Sequence, residues 1–288
     1  MEFSNYAENN TKISTDFVSA SDGVCLLTIR FQPKNQSAFP PVIFLPGWGS
    51  LIDSWQVVLK KMTENFEVYY VETREKSSSQ QPKEKPLTID SLGDDLPYIL
   101  KHYNLSEREY LLFGSSLGAT VILDSISKNK VNPCAAILVG PNAEFNAPKY
   151  WVWLTWITPP FFFYLIKPLV KWYMKKKYLD MQSDPLQYDK YCRSLDAANP
   201  SRLRRSALNF SKYKIWNKLN KINNKVLIFT GSKDKMHGYD QTLKISQQLK
   251  NCKIIDMETN AQTHSEDMVD KLYYYLNRDL TKSDKSSD

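Results

Sequence analysis

Three side chains in this sequence have the chemistry for acyl transfer and a spacing that lets them meet: Ser116, Asp234 and His264. Ser116 is the centre of Gly114-Ser115-Ser116-Leu117-Gly118, with the apolar run Tyr110 to Phe113 before it and Ala119 to Leu123 after it. The pattern predicts a strand, a sharp turn and a helix, with the serine exposed at the turn. Glycines two positions away on either side let strand and helix crowd together. A serine hydroxyl is a weak nucleophile and needs a base within reach, with a carboxylate to fix that base's tautomer. Of three histidines, His102 falls in a helix upstream of the serine and His237 sits just behind Asp234. His264 follows the last expected strand, at the sheet edge where catalytic loops gather. Asp234 likewise follows a strand, in Gly231-Ser232-Lys233-Asp234, giving the chain order serine, aspartate, histidine. The helix after Ser116 aims its unpaired N–H groups at the serine, so Leu117 N–H is placed to meet an oxyanion.

The elements that must hold these groups follow from hydrophobic patterning. Asp16–Ala20 and Val24–Phe31 flank Ser21-Asp22-Gly23 and read as a hairpin. Pro41 to Leu45 is a continuous apolar strand that runs into Pro46-Gly47-Trp48-Gly49, where missing side chains bring Trp48 N–H within reach of a ligand as a second oxyanion donor. A helix over 53–62, a strand over 66–71, a polar loop over 72–87 and a helix from Thr88 to His102 come next. Strands at 135–139, 226–229 and 253–257 alternate with a helix near 241–249, and a closing helix carries Met268, Leu272, Leu276 and Leu280 on one face. Such alternation predicts an α/β architecture with a largely parallel sheet.

Residues 143–215 interrupt it. Trp151 to Ile166 is free of charge and rich in aromatics, and lysines follow at 167, 171 and 175–177. The run is shorter than the ~20 residues of a membrane span, and Pro159-Pro160 breaks it, so a pair of short amphipathic helices is expected. More polar helices should fill residues 180–215. Trp151, Trp153, Trp156, Phe161 and Phe162 are expected to line an apolar substrate pocket, and the lysines to meet anionic lipid.

Bulk composition narrows the class. The chain has 288 residues, 42% of them hydrophobic, enough for one large domain with an insertion. Its net charge of +7 is spread along the chain, and no nucleic-acid motif accompanies it, so a nucleic-acid partner is not expected. Four separated cysteines form no C-x-x-C pair and no metal-ligand cluster; they read as reduced thiols, and no metal or organic cofactor is expected. The first residues lack the pattern of a secretory signal, so a cytoplasmic location, with peripheral membrane contact through the insertion, is the expectation.

Taken together, the turn at Pro46-Gly47-Trp48-Gly49 with Trp55 beyond it, the Gly114–Gly118 elbow, the acid in Gly231–Asp234 and His264 ahead of a terminal helix resemble the α/β-hydrolase superfamily of esterases and lipases with a cap, over residues 15 to 280. The resemblance implies a mostly parallel eight-stranded sheet flanked by helices, with a helical cap inserted after the sixth strand. The chain then divides into a tail (1–14), a core (15–142 and 216–280), a cap (143–215) and a second tail (281–288). Four positions depart from the family: Pro46 for histidine, no glycine after Arg74, Lys225 for proline and Thr263 for glycine. The implied activity is hydrolysis of carboxylic esters of hydrophobic acids. Transfer of the acyl group to an alcohol or cleavage of a thioester uses the same triad, and non-catalytic binding of a hydrophobic ligand is the alternative from another class. Oligomeric state is open.

Overall fold

Strands β1 (Lys12–Ser19), β2 (Cys25–Gln32), β3 (Val42–Leu45), β4 (Val68–Val71), β5 (Leu111–Ser115), β6 (Ala135–Val139), β7 (Lys225–Thr230) and β8 (Cys252–Asp256) form one sheet in the order β1-β2-β4-β3-β5-β6-β7-β8. The computed structural model describes residues 3–20, 22–37, 39–81, 84–145, 148–177, 185–234 and 238–283. β1 and β2 pair antiparallel, as do β2 and β4; every other pairing is parallel. Ser21 of the expected hairpin turn lies outside the described residues, and Gly23 takes the positive φ of 80° that a tight reversal requires.

All of β3 through β6 is buried, as a strand covered on both faces must be. Alternate side chains separate into two cores. Ile43, Leu45, Leu112, Ala136 and Leu138 pack with helices α2 (Ile89–His102) and α3 (Leu117–Ser127). Val42, Phe44, Leu111, Phe113 and Ile137 pack with α1 (Gln56–Met62) and, across the insertion in sequence, with α9 (Glu266–Ser283) through Met268, Leu272 and Leu276. The expected helix over 53–62 divides into a 3-10 turn at Ile52–Trp55 and α1. Thr88 caps α2 reciprocally with Ser91, whose N–H donates to Thr88 Oγ1 at 3.0 Å while Thr88 N–H donates to Ser91 Oγ at 2.9 Å.

Between β6 and β7 stand α4 (Lys149–Ile157), a 3-10 turn (Pro160–Phe162), α5 (Phe163–Lys177), α6 (Pro185–Ala197) and α7 (Pro200–Phe210); α8 (Tyr239–Gln248) follows β7. The aromatic run is thus a broken pair of helices. No helix among the described residues is long and apolar enough to cross a membrane.

The expected polar loop after β4 departs from the sequence reading. Glu72 through Lys76 are buried, Arg74 to 2% exposure, and the charges of Glu72, Arg74 and Lys76 pair inside the fold. Arg74 Nε donates to Asp95 Oδ2 at 2.8 Å, its Nη2 donates to Asp95 Oδ1, and its Nη1 reaches Asp22 Oδ2 at 2.9 Å. Lys76 Nζ donates to Glu72 Oε1 at 3.1 Å. Buried charge persists only with such partners.

Gly118 and Gly114 answer a steric demand. A Cβ at Gly118 would stand 2.7 Å from the Leu45 carbonyl carbon, and one at Gly114 would stand 2.7 Å from Ala119 N. Gly118→Ala must push α3 off β3, so it should lower stability by about 1–3 kcal/mol in urea unfolding; an unchanged midpoint would show that the turn has room to spare.

Candidate active site

The β5–α3 turn holds Ser116 at φ 47° and ψ −105°, in the left-handed region that few non-glycine residues occupy. Hydrogen bonds on both sides fix it there: Ser116 N–H donates to Val139 O at 2.8 Å and Thr120 N–H donates to Ser116 O at 3.0 Å. Asn142, just past β6, aims Nδ2 at Ser116 Oγ from 3.2 Å, and Thr120 Oγ1 donates to Asn142 O at 2.7 Å, which steadies that loop. Nothing in the spacing of the sequence marks Asn142; only the adjacency of β5 and β6 brings it to the serine.

The turn after β3 lies beside the same hydroxyl. A Cβ at Gly47 would sit 3.6 Å from Ser116 Cβ, so the chain passes close to the serine. Trp48 is partly exposed, and its indole Nε1 donates to Ser206 Oγ on α7 at 2.9 Å. Neither the Trp48 nor the Leu117 N–H has a hydrogen-bond partner among the described residues. Two orphan donors beside a serine at a helix N-terminus are what a developing oxyanion requires.

The other two groups come from the ends of β7 and β8. Asp234 N–H closes a turn onto Gly231 O at 3.0 Å, and Lys233 N–H donates to Glu258 O at 2.8 Å, which draws the two loops together. Asn260 joins Asp234 to the loop of His264: its Nδ2 donates to Asp234 Oδ2 at 2.9 Å, and its carbonyl oxygen lies 3.0 Å from His264 Nδ1. Donation from Nδ1–H to that carbonyl leaves Nε2 as the basic nitrogen. The His264 ring packs on Trp55 with centroids 4.2 Å apart. Thr263, which stands in place of the family's glycine, is buried, and its hydroxyl donates to Asn260 O at 2.7 Å, so it steadies the histidine loop. His237 lies outside the described residues, and His102 ends α2 against Tyr103.

Ser116, His264, Trp48 and Trp55 wall a cavity of about 430 Å³ between the sheet edge and the inserted helices. Leu154, Phe163, Ile166, Val170, Met174 and Leu203 make its remaining surface mostly apolar. The expected lining residues are corrected here. Trp153, Trp156, Phe161 and Phe162 do not line it and are 62%, 66%, 64% and 40% exposed. The Trp151 side chain is outside the described residues. For the tryptophans helical geometry is the reason, since Leu154 and Thr155, with Thr158 just past the helix end, turn one side of α4 inward and leave Trp153 and Trp156 on the other. Arg204 pins that orientation, its Nε donating to the Thr155 and Thr158 carbonyls at 2.9 Å each.

Burial pushes the Cys252 thiol up to about 12 and raises Cys134 as well, away from the reactive thiolate. Among the described residues no group of histidine, cysteine and carboxylate side chains could hold a metal ion.

A family model described as the alpha/beta hydrolase fold matches residues 40–260. No curated protein matches the chain. Among solved structures, an esterase from Exiguobacterium antarcticum is similar at a TM-score of 0.74 and 16% identity, over 92% of this chain and 100% of that one. The enol-lactonase from Burkholderia xenovorans is similar at a TM-score of 0.74 and 14% identity, with the same coverage of 92% and 100%. A bacterial membrane phospholipase A is similar at 0.68 and 15% identity, over 92% of this chain and 86% of that one. At these identities the likeness is one of fold.

Asn260→Ala removes the amide that holds Asp234, and should slow fluorophosphonate labelling of Ser116 about tenfold, the equivalent of roughly 1.4 kcal/mol for a hydrogen bond to a charged group. Labelling at the wild-type rate would show that Asp234 and His264 keep their places without it.

Proposed function

Because this chain belongs to the α/β-hydrolase fold family, we propose that it is a serine hydrolase that cleaves carboxylic esters of hydrophobic acids. The observation that carries the reading is the sharing of one mostly apolar 430 Å³ cavity by the strained Ser116 and by His264. A strained serine at a helix N-terminus is a device for exposing a nucleophile, and an apolar chamber beside it favours an acyl chain.

In this mechanism His264 Nε2 accepts the Ser116 proton as Oγ attacks the ester carbonyl. Negative charge gathers on the carbonyl oxygen and meets Trp48 N–H and Leu117 N–H. Collapse of the tetrahedral intermediate expels the alcohol, which takes its proton from His264, and leaves the acyl group on Ser116. Water, activated by the same nitrogen, then releases the acid. Asp234, joined to the histidine loop through Asn260, favours the imidazolium in both halves of the reaction. The steps draw on these side chains and water.

We further infer that residues 143–215 act as a cap whose outer face rests on an anionic membrane. Trp153, Trp156, Phe161, Leu165 and Trp172 are each more than half exposed. Lys149 to Lys177 contains six lysines and no acidic residue, although Lys167 and Lys171 pair with Asp196. Aromatic rings at the headgroup level with lysines near anionic lipid, each worth about 1 kcal/mol, describe an interfacial helix pair.

Ser116→Ala should abolish both fluorophosphonate labelling and hydrolysis of p-nitrophenyl acyl esters, with a loss of roughly 10³-fold or more. Retained turnover in Ser116→Ala would assign the chemistry elsewhere. In flotation with vesicles containing phosphatidylserine, the Trp153→Ser, Trp156→Ser double variant should bind at least about tenfold more weakly, and wild-type binding should fall as salt shortens the Debye length below ~10 Å. Equal flotation of variant and wild type at every salt concentration would remove the membrane from the reading.

A further inference from the structure

Beside the catalytic cavity lies a smaller one of about 130 Å³, and Trp48, Gly49 and Leu203 stand in the walls of both. Its chemistry is different. Glu72, Glu75, Lys76, Ser77 and Ser78 come from the buried loop after β4, and Asn199 comes from the turn between α6 and α7. The loop is held against the inserted helices: Arg202 Nη1 donates to Lys76 O and, at 2.9 Å, to Ser79 O, while Ser77 Oγ donates to Ala197 O at 3.3 Å. The small cavity therefore has firm walls on both sides.

Most polar groups in those walls satisfy one another. Lys76 Nζ donates to Glu72 Oε1 at 3.1 Å and Ser78 Oγ donates to Glu72 Oε2 at 2.7 Å. Glu75 differs. Its side chain is buried, with the residue only 5% exposed, and Oε1 accepts from Thr73 Oγ1 at 2.8 Å. Glu75 Oε2 is buried without a hydrogen-bond partner among the described residues. Burial raises the carboxyl above the usual carboxylate range, against the pull of Lys76. A carboxyl oxygen left in this state is stabilised when a ligand brings it a hydroxyl.

We propose that this side pocket receives the alcohol half of the ester and that the alcohol is a small polyol, with one hydroxyl on Glu75 Oε2 and others on Ser77, Ser78 and Lys76. The inference rests on the ester-hydrolase reading and extends it to the leaving group. Trp48 carries an oxyanion donor and borders both cavities, so an ester carbonyl held there lies at their boundary, with the apolar chamber for the acyl chain and the hydroxyl-rich one for the alcohol. A volume of about 130 Å³, less than a third of the main chamber's 430 Å³, suits a small group of glycerol size rather than a second acyl chain. Two carboxyls against one lysine argue against a phosphorylated alcohol.

Two non-hydrolysable probes test the pocket whether or not the protein turns over esters. Binding of 1-O-hexylglycerol and of hexyl methyl ether, followed by tryptophan fluorescence, should favour the glycerol ether about tenfold in the wild type. Glu75→Leu should erase that preference; Glu75→Gln, which keeps the loop polar should the leucine variant not fold, should reduce it at least threefold. Equal affinities in the wild type, or an undiminished preference in the folded variants, would overturn the proposal. In parallel, the kcat/KM ratio of a monoacylglycerol to the methyl ester of the same acid should fall about tenfold in Glu75→Leu. A glycerol preference in binding without turnover of either ester would support the pocket and defeat the hydrolase reading. Turnover with no preference in binding or kinetics would leave the hydrolase and defeat the pocket.

Discussion

The approach of α3 to β3 governs what the rest of the molecule can do. Gly118 leaves its backbone against the Leu45 carbonyl with no space for a side chain, and Gly114 packs as closely under Ala119. Such closeness drives Ser116 into its left-handed conformation and lifts its hydroxyl out of the sheet edge. The same contact fixes where β3 ends, and hence where Gly47 and Trp48 turn over the serine. Two sheet-flanking cores hold this arrangement rigid, since every residue of α3 is buried. A strained turn persists only where its surroundings over-determine it, and here they do.

Around that turn the chain divides its polarity sharply. The large chamber is walled by aliphatic and aromatic side chains of the inserted helices, while the ledge beside it is built from a buried run of charged residues in which Lys76 pairs with Glu72 and Arg74 with Asp22 and Asp95. Arg74 locks the ledge to α2 through Asp95 and to the β1–β2 connection through Asp22. The ledge is therefore as firmly placed as the elbow. Apolar walls thus stand on one side of Trp48 and fixed hydrogen-bonding groups on the other, an arrangement that under the proposed function would orient an amphiphile before reaction.

The fold was legible because its signals are local. Continuous apolar runs at Val42–Leu45 and Ala135–Val139 could only be strands buried on both faces, and the glycine spacing around Ser116 has a steric cause that the sequence states outright. Asp234 and His264 could be placed at strand ends for the same reason. What the sequence hid was contact made through topology. Asn142 meets Ser116 only because β5 and β6 are neighbours, and Asn260 reaches His264 with a backbone carbonyl that any residue possesses. The aromatic insertion misled in a different way: large rings read as pocket lining, yet the helical repeat turned Trp153 and Trp156 outward and left smaller residues such as Leu154 facing the serine. Charge misled at residues 72–76, where pairing partners as distant in sequence as Asp22 and Asp95 made burial affordable.

Trp48 belongs to two structures at once. Its turn lies beside Ser116, and its indole is tethered to Ser206 on α7 and packs edge-on against Phe210. Helix α7, which walls the chamber, and the turn that carries the Trp48 amide are in this way mechanically linked. Any displacement of α7 is therefore transmitted through the indole to the Trp48 backbone. Under the proposed mechanism this link would tie enclosure of a ligand to polarisation of its carbonyl, making the two a single event.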